Sequence, residues 1–189
     1  MTVQERLSPG KYRLTVEDYL RLAADGSFGD RRTELIEGDI WIMSPAYTPH
    51  ARVQGALASG IGRAMASHTD LVLLIAPSVR LSDNTMPEPD LVIALDHRDG
   101  PLPGEKAQLV VEVSDATLST DLGTKARLYA MHGVPEYWVV DVRAGVIHQM
   151  WQPAGDAYAE RRELPFGDAV MAATIEGVVI ETGALLPRG

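Results

Sequence analysis

The chain has 189 residues, 46% hydrophobic and 23% charged, with a formal net charge of −9 and no cysteine. That balance predicts one domain over residues 1–189 with a sizeable core, and excludes a fibrous, low-complexity or disordered chain. The missing cysteines exclude disulfides, thiolate metal sites and a cysteine nucleophile, so any metal must be held by oxygen or nitrogen.

The acidic surplus weighs against a nucleic-acid partner, because nonspecific affinity comes from Lys and Arg at phosphates. A local patch could still form if Arg31, Arg32, Arg63, Arg80, Arg161 and Arg162 gather on one face. No apolar run approaches the roughly 20 residues that span a bilayer, and the first ten residues lack the basic start and apolar run of a secretion signal. The expectation is a cytoplasmic protein without a membrane partner.

In chain order, Thr15 followed three positions later by Asp18 predicts a capped helix start, with Val16, Tyr19, Leu20 and Ala23 as its apolar stripe and Asp25-Gly26 as its end. Thr33 to Glu37 and Ile40 to Met43 predict a hairpin around a Gly38-Asp39 turn, its first strand carrying Glu34. The spacing of Val53, Leu57, Ile61 and Ala64 or Met65 predicts a long helix over His50–Ser67. Strands are expected over Leu71–Ala76 and Val79–Leu81, with a turn at Asp83-Asn84.

Asp90 opens the next apolar run, His97–Lys106 reads as loop, and a strand over Leu109–Ser114 carries Glu112. Ser119 or Thr120 is expected to cap a helix with Leu122, Ala126, Tyr129 and Ala130 on one side, ending at Gly133. Glu136–Asp141 reads as a strand, with one of Tyr137 and Trp138 in the core and the other against a neighbour or a dimer partner. Val146–Trp151, Tyr158–Leu164 and Val178–Glu181 follow as antiparallel hairpins. The order of elements implies an α/β sandwich on a mixed, largely antiparallel sheet, with a core over about residues 12–150 and added hairpins over about 146–185.

Two of these strands carry a carboxylate where a buried strand would hold Val or Ile, and such a group is costly unless hydrogen-bonded, ion-paired or metal-bound. Asp90, Glu112 and Glu34 at one sheet edge, with a backbone carbonyl, would make the all-oxygen site that Mg²⁺ or Mn²⁺ prefers. Lys125, one of three lysines in the chain, lies in the helix after the Glu112 strand, where it could orient a water or stabilise charge developing on phosphorus.

Pro89-Asp90, then twenty-one residues, then Glu112-Val113-Ser114 resembles the PD-(D/E)XK nuclease pattern, with Ser114 in place of its lysine. The wider set resembles the Uma family of restriction-endonuclease-like proteins over roughly residues 12–150. That set comprises Thr33-Glu34 to Gly38, Met43-Ser44-Pro45 with His50 beyond, Pro89-Asp90, Glu112-Val113-Ser114, Lys125 with Tyr129, and Gly133-Val134-Pro135 to Asp141. The resemblance implies a restriction-endonuclease-like fold, phosphodiester hydrolysis on DNA, and Mg²⁺ or Mn²⁺ as cofactor. It implies Asp90 and Glu112 as metal ligands, Glu34 as a further acidic residue of the site, and Lys125 as the lysine displaced into the helix. Ser114, His50 and Tyr129 are candidates for supporting positions, and a homodimer is expected.

Other readings of the same residues stand beside this one. Glu112 could be ion-paired for structural reasons, Asp90 could cap a turn, Glu34 could sit on an exposed hairpin face, and Tyr129 could serve core packing. A nuclease-fold module that binds a partner without catalysis, and an ion-paired scaffold within a homodimer, are the corresponding functional alternatives.

Overall fold

The computed structural model describes residues 10–186; apart from Gly10, the N-terminal stretch read for a secretion signal lies outside them. Helix α1 (Val16–Ala24) starts as its sequence dictates. Thr15 accepts from the Asp18 backbone N–H, and Asp18 reaches back to the Thr15 N–H. This reciprocal pairing satisfies two amide donors that a helix start otherwise leaves open. Val16 and Tyr19 are buried against Leu35 and Met86.

Strands β1 (Thr33–Ile36) and β2 (Asp39–Ile42) form the hairpin. Its turn is Glu37-Gly38 rather than Gly38-Asp39, since both residues have positive φ, 49° and 80°. Two such residues make the tight turn whose twist suits a hairpin, and Asp39 is thereby released to pair with Ile36. Gly38 is further constrained from outside: a Cβ there would lie 2.5 Å from Arg13 Cβ.

Helix α2 (Thr48–Ala64) has Pro49 in its first turn, and Val53, Leu57 and Ile61 face inward. Strands β3 (Leu71–Ile75), β5 (Leu91–Leu95), β7 (Ala107–Ser114), β8 (Glu136–Asp141), β9 (Val146–Ala154) and β10 (Ala157–Pro165) make a six-stranded sheet in the order β10-β9-β8-β7-β5-β3. β7 and β8 pair in parallel, and the other neighbours pair antiparallel. The expected α/β sandwich on a mixed, largely antiparallel sheet is therefore observed. The stretch read as loop before β7 holds the two-residue strand β6 (Leu102–Pro103), which pairs in parallel with β4 (Val79–Arg80).

Both faces of the sheet are covered. α2 packs on one face with Leu91, Ile93, Leu109, Val111 and Trp138, and the C-terminal residues Val170, Ile175, Val178, Ile180 and Leu185 complete that layer. On the other face Ala126, Tyr129 and Val134 pack on Val92, Val110, Tyr137 and Val139. β8 is thus buried on both sides, which places Trp138 and Tyr137 in opposite halves of the core rather than one of them at a partner surface. β9 and β10 extend the same sheet, and the short strands β11 (Ala169–Met171) and β12 (Val179–Glu181) pair on top of it. Buried Glu136 ties this cover down by accepting from Trp138, Gln149, Ala173 and Thr174.

The helix after β7 departs from its expected form. It begins at Leu118, with Thr117 rather than Ser119 or Thr120 in the N-cap position, as the short segment α3 (Leu118–Thr120). It then widens into a π-turn over Asp121–Lys125 before α4 (Ala126–Met131). The Ala126 N–H reaches the Asp121 carbonyl, and that same carbonyl also accepts from the Tyr137 hydroxyl at 3.0 Å. The wider turn carries one residue more than an α-turn. Asp121 and Lys125 are consequently buried, while Leu122, expected inside, is 37% exposed.

Among the described residues, no helix is long and apolar enough to cross a membrane.

Candidate active site

The register Leu91↔Val111 sets the start of β5 beside the end of β7, so Asp90 and Glu112 meet at one end of the sheet. Asp90 Oδ2 accepts the Val113 backbone N–H at 2.7 Å. His50, in the first turn of α2, has Nε2 3.2 Å from both oxygens of that carboxylate. Gln54, one turn further on, donates to the Asp90 carbonyl at 3.1 Å. Asp90 is therefore held between the edge of one strand and the helix on that face.

Glu112 lies under the π-turn. Its Oε1 accepts from Lys125 Nζ at 3.1 Å and from the Tyr129 hydroxyl at 3.0 Å. Lys125 Nζ also lies 3.2 Å from Glu34 Oε2, which accepts the Glu88 N–H as well. The hairpin that brings Glu34 here is anchored by the Leu35↔Met86 bridge and by Arg127, whose guanidinium donates to Glu37 at 2.9 Å. Glu34, Glu112, Lys125 and Tyr129 are all buried.

Asp121 joins this group without having been singled out by its sequence position. It is buried and accepts from Thr117 at 2.6 Å, while Ser114 Oγ lies 3.4 Å from the same threonine. Its i,i+4 spacing to Lys125 was the available signal, but on a regular helix that pair reads as an ordinary surface ion pair. Only the π-turn buries both side chains.

Burial pushes the Glu112 carboxyl well above the usual carboxylate range, against the pull of Lys125; Asp121, Asp90 and Glu34 add to the rise. Asp121 is likewise raised by burial, opposed by the Thr117 hydrogen bond and Lys125. For Lys125, burial works against the charge, but Glu112, Glu34 and Asp121 outweigh it and hold the ammonium above the ordinary lysine range. The Asp90 hydrogen bond raises His50 despite its burial. One ammonium thus serves several carboxylates, two of which are raised by burial and by one another.

These groups face a cleft of about 410 Å³ that is also lined by Arg32, Trp41, Tyr47, Asp115 and Thr117. Arg32 is the one arginine on its wall among the described residues, and it is paired with Glu88.

Among the described residues, no group of three or more His, Cys, Asp or Glu is close enough to hold a metal. Glu34 stands across Lys125 from Glu112. Asp90 and Glu112, which meet at the sheet end on the cleft wall, are the pair that could hold a hard cation. This suffices for Mg²⁺, which usually takes one or two carboxylates and fills its remaining positions with water and substrate oxygens.

In fold, the chain is similar to the crystal structure of a "putative nuclease belonging to DUF820" from Anabaena variabilis. The TM-score is 0.68 at 15% identity, over 91% of this chain and 97% of that one. No curated protein matches the chain. The family model Uma2, described as "Putative restriction endonuclease", matches residues 16–183, and the chain therefore belongs to the Uma2 family.

Proposed function

We propose that the protein is a metal-dependent phosphodiesterase acting on DNA. The observation that carries this reading is the meeting of Asp90 and Glu112 at one sheet end, facing the cleft, with the Lys125 ammonium in contact with Glu112. Asp90 and Glu112 would hold Mg²⁺ or Mn²⁺. When bound, such an ion polarises a phosphoryl oxygen and lowers the pKa of a water.

The protein's own groups divide the remaining work. Lys125, kept protonated, is unsuited to remove a proton at neutral pH and instead donates hydrogen bonds to charge building up on phosphoryl oxygens. Glu34 fixes the direction of that ammonium from the far side, and Tyr129 fixes the Glu112 carboxylate. His50 does the same for Asp90.

Wild-type protein is expected to cleave plasmid or oligonucleotide DNA in Mg²⁺ or Mn²⁺, and excess EDTA to stop it. Cleavage that persists in EDTA would remove the metal from the reading.

A second reading, a partner-binding module without catalysis, is favoured by one feature: the pairing of Lys125 with Glu34 and Glu112 already compensates buried charge without an ion. Titration calorimetry separates the two. The hydrolase should bind Mg²⁺ or Mn²⁺ saturably, with the heat lost in Glu112→Gln, whereas the module should show no such heat.

A further inference from the structure

The β1–β2 register places Trp41 directly opposite Glu34, so the two side chains share one face of the hairpin. Directly paired strand residues have Cβ atoms about 5 Å apart, and Glu34 itself contacts Lys125. An indole is therefore set one side chain away from the proposed reaction centre. It is 38% exposed, and Tyr47, on the same cleft wall, is 67% exposed. Large aromatics left open beside a site are exceptions to be explained, since burying them elsewhere would be favourable.

The charges of the cleft point the same way. Its cations are already engaged: Arg32 with Glu88, Lys125 with Glu34 and Glu112, and His50 with Asp90. A duplex is gripped mainly by cations along both phosphate backbones, and this wall offers few. A single strand can instead draw affinity from bases stacked on aromatic rings, a contribution every base can make. The volume of about 410 Å³ lies in the range of small-ligand sites.

We propose that the cleft takes its substrate as an unpaired nucleotide strand, with bases stacked on Trp41 and Tyr47 at its mouth. This rests on the reading of the site as a phosphodiesterase. Both rings are exposed, so replacing them leaves the core intact; Trp138, by contrast, is fully buried.

The test is fluorescence anisotropy of a labelled oligo-dT strand and of a duplex of equal length, measured with the full chain in EDTA so that no cleavage intervenes. The single strand is expected to bind about tenfold more tightly than the duplex. Trp41→Ala should weaken single-strand binding by about tenfold, Trp41→Phe should restore most of it, and Tyr47→Ala should weaken it less. Wild-type affinity in Trp41→Ala, or duplex bound as tightly as single strand, overturns the proposal. So does a Trp41→Ala variant altered only in self-association by sedimentation, which would make the apolar face of β2 a contact between copies. Stacking without any Mg²⁺-dependent cleavage leaves this inference standing and removes the hydrolase. Duplex cleavage indifferent to Trp41→Ala does the reverse.

Discussion

Replacing Lys125 with methionine is expected to lower stability by about 3–5 kcal/mol, the usual cost of deleting one partner of a buried ion pair. Methionine keeps the length and the apolar stem of lysine but leaves Glu34 and Glu112 buried without their cation. With urea slopes of roughly 2 kcal/mol/M, the unfolding midpoint should fall by about 2 M. The penalty belongs to the stranded carboxylates, so adding Glu34→Gln and Glu112→Gln to Lys125→Met should return most of it. An unchanged midpoint in the single variant would mean that the ammonium compensates nothing.

The pH dependence has a definite sign. The folded-state lysine is raised, so its contribution is complete below the unfolded value of about 10.4 and is lost as pH rises through the higher folded value. The loss of the lysine's contribution should therefore narrow the gap between wild type and Lys125→Met as pH rises beyond about 10. On activity, the same substitution removes a preorganised donor and should cost about 10²–10³-fold in cleavage.

Asp90→Asn is expected to reduce cleavage on the order of 10³-fold, through loss of several kcal/mol of charge stabilisation at phosphorus. Its fold should survive, because an asparagine oxygen can still accept the Val113 N–H. Without metal, the variant should melt at or above the wild-type temperature, since the charge of Asp90 repels Glu112 and Asp121. Added Mg²⁺ should raise the wild-type melting temperature and leave that of Asp90→Asn unmoved. If Asp90→Asn still gains stability from Mg²⁺, Asp90 is no ligand. If it instead melts well below wild type without metal, the carboxylate is a structural ion partner of His50.

Much of this arrangement was legible in the sequence because burial leaves a strong imprint on strands. Leu109–Ser114 and Glu136–Asp141 read as inner strands from their apolar runs, and Glu112 stood out by breaking one of them. Thr15 and Asp18 announced α1 through hydrogen-bonding chemistry confined to four residues. What stayed hidden depends on contacts between elements distant in sequence. The positive φ of Glu37 accompanies a turn held by hydrogen bonds from Arg13 to the Glu37 carbonyl and from the turn's own amides to Asn84 and Thr85. The π-turn is held open at the Asp121 carbonyl by Tyr137, which comes from the following strand. Helical periodicity assumes an unbroken phase, and so it put Leu122 inside and left Asp121 unnoticed. In β2 the sequence offered three large apolar residues with no sign that Ile40, Trp41 and Ile42 would all remain exposed.

The π-turn also separates the chain that leaves Glu112 from the helix that returns to it. Ala126 and Tyr129 must meet the sheet, and Lys125 must meet Glu112. Because the extra residue lies upstream of Lys125, the lysine keeps its one-turn spacing to Tyr129, and only the phase of the chain between Glu112 and Asp121 is set free. The distance in sequence from Glu112 to its cation is then a free variable, and only the closing of the ion pair in space is constrained. A fixed-spacing signature would pass over such a site even where every interacting group is present.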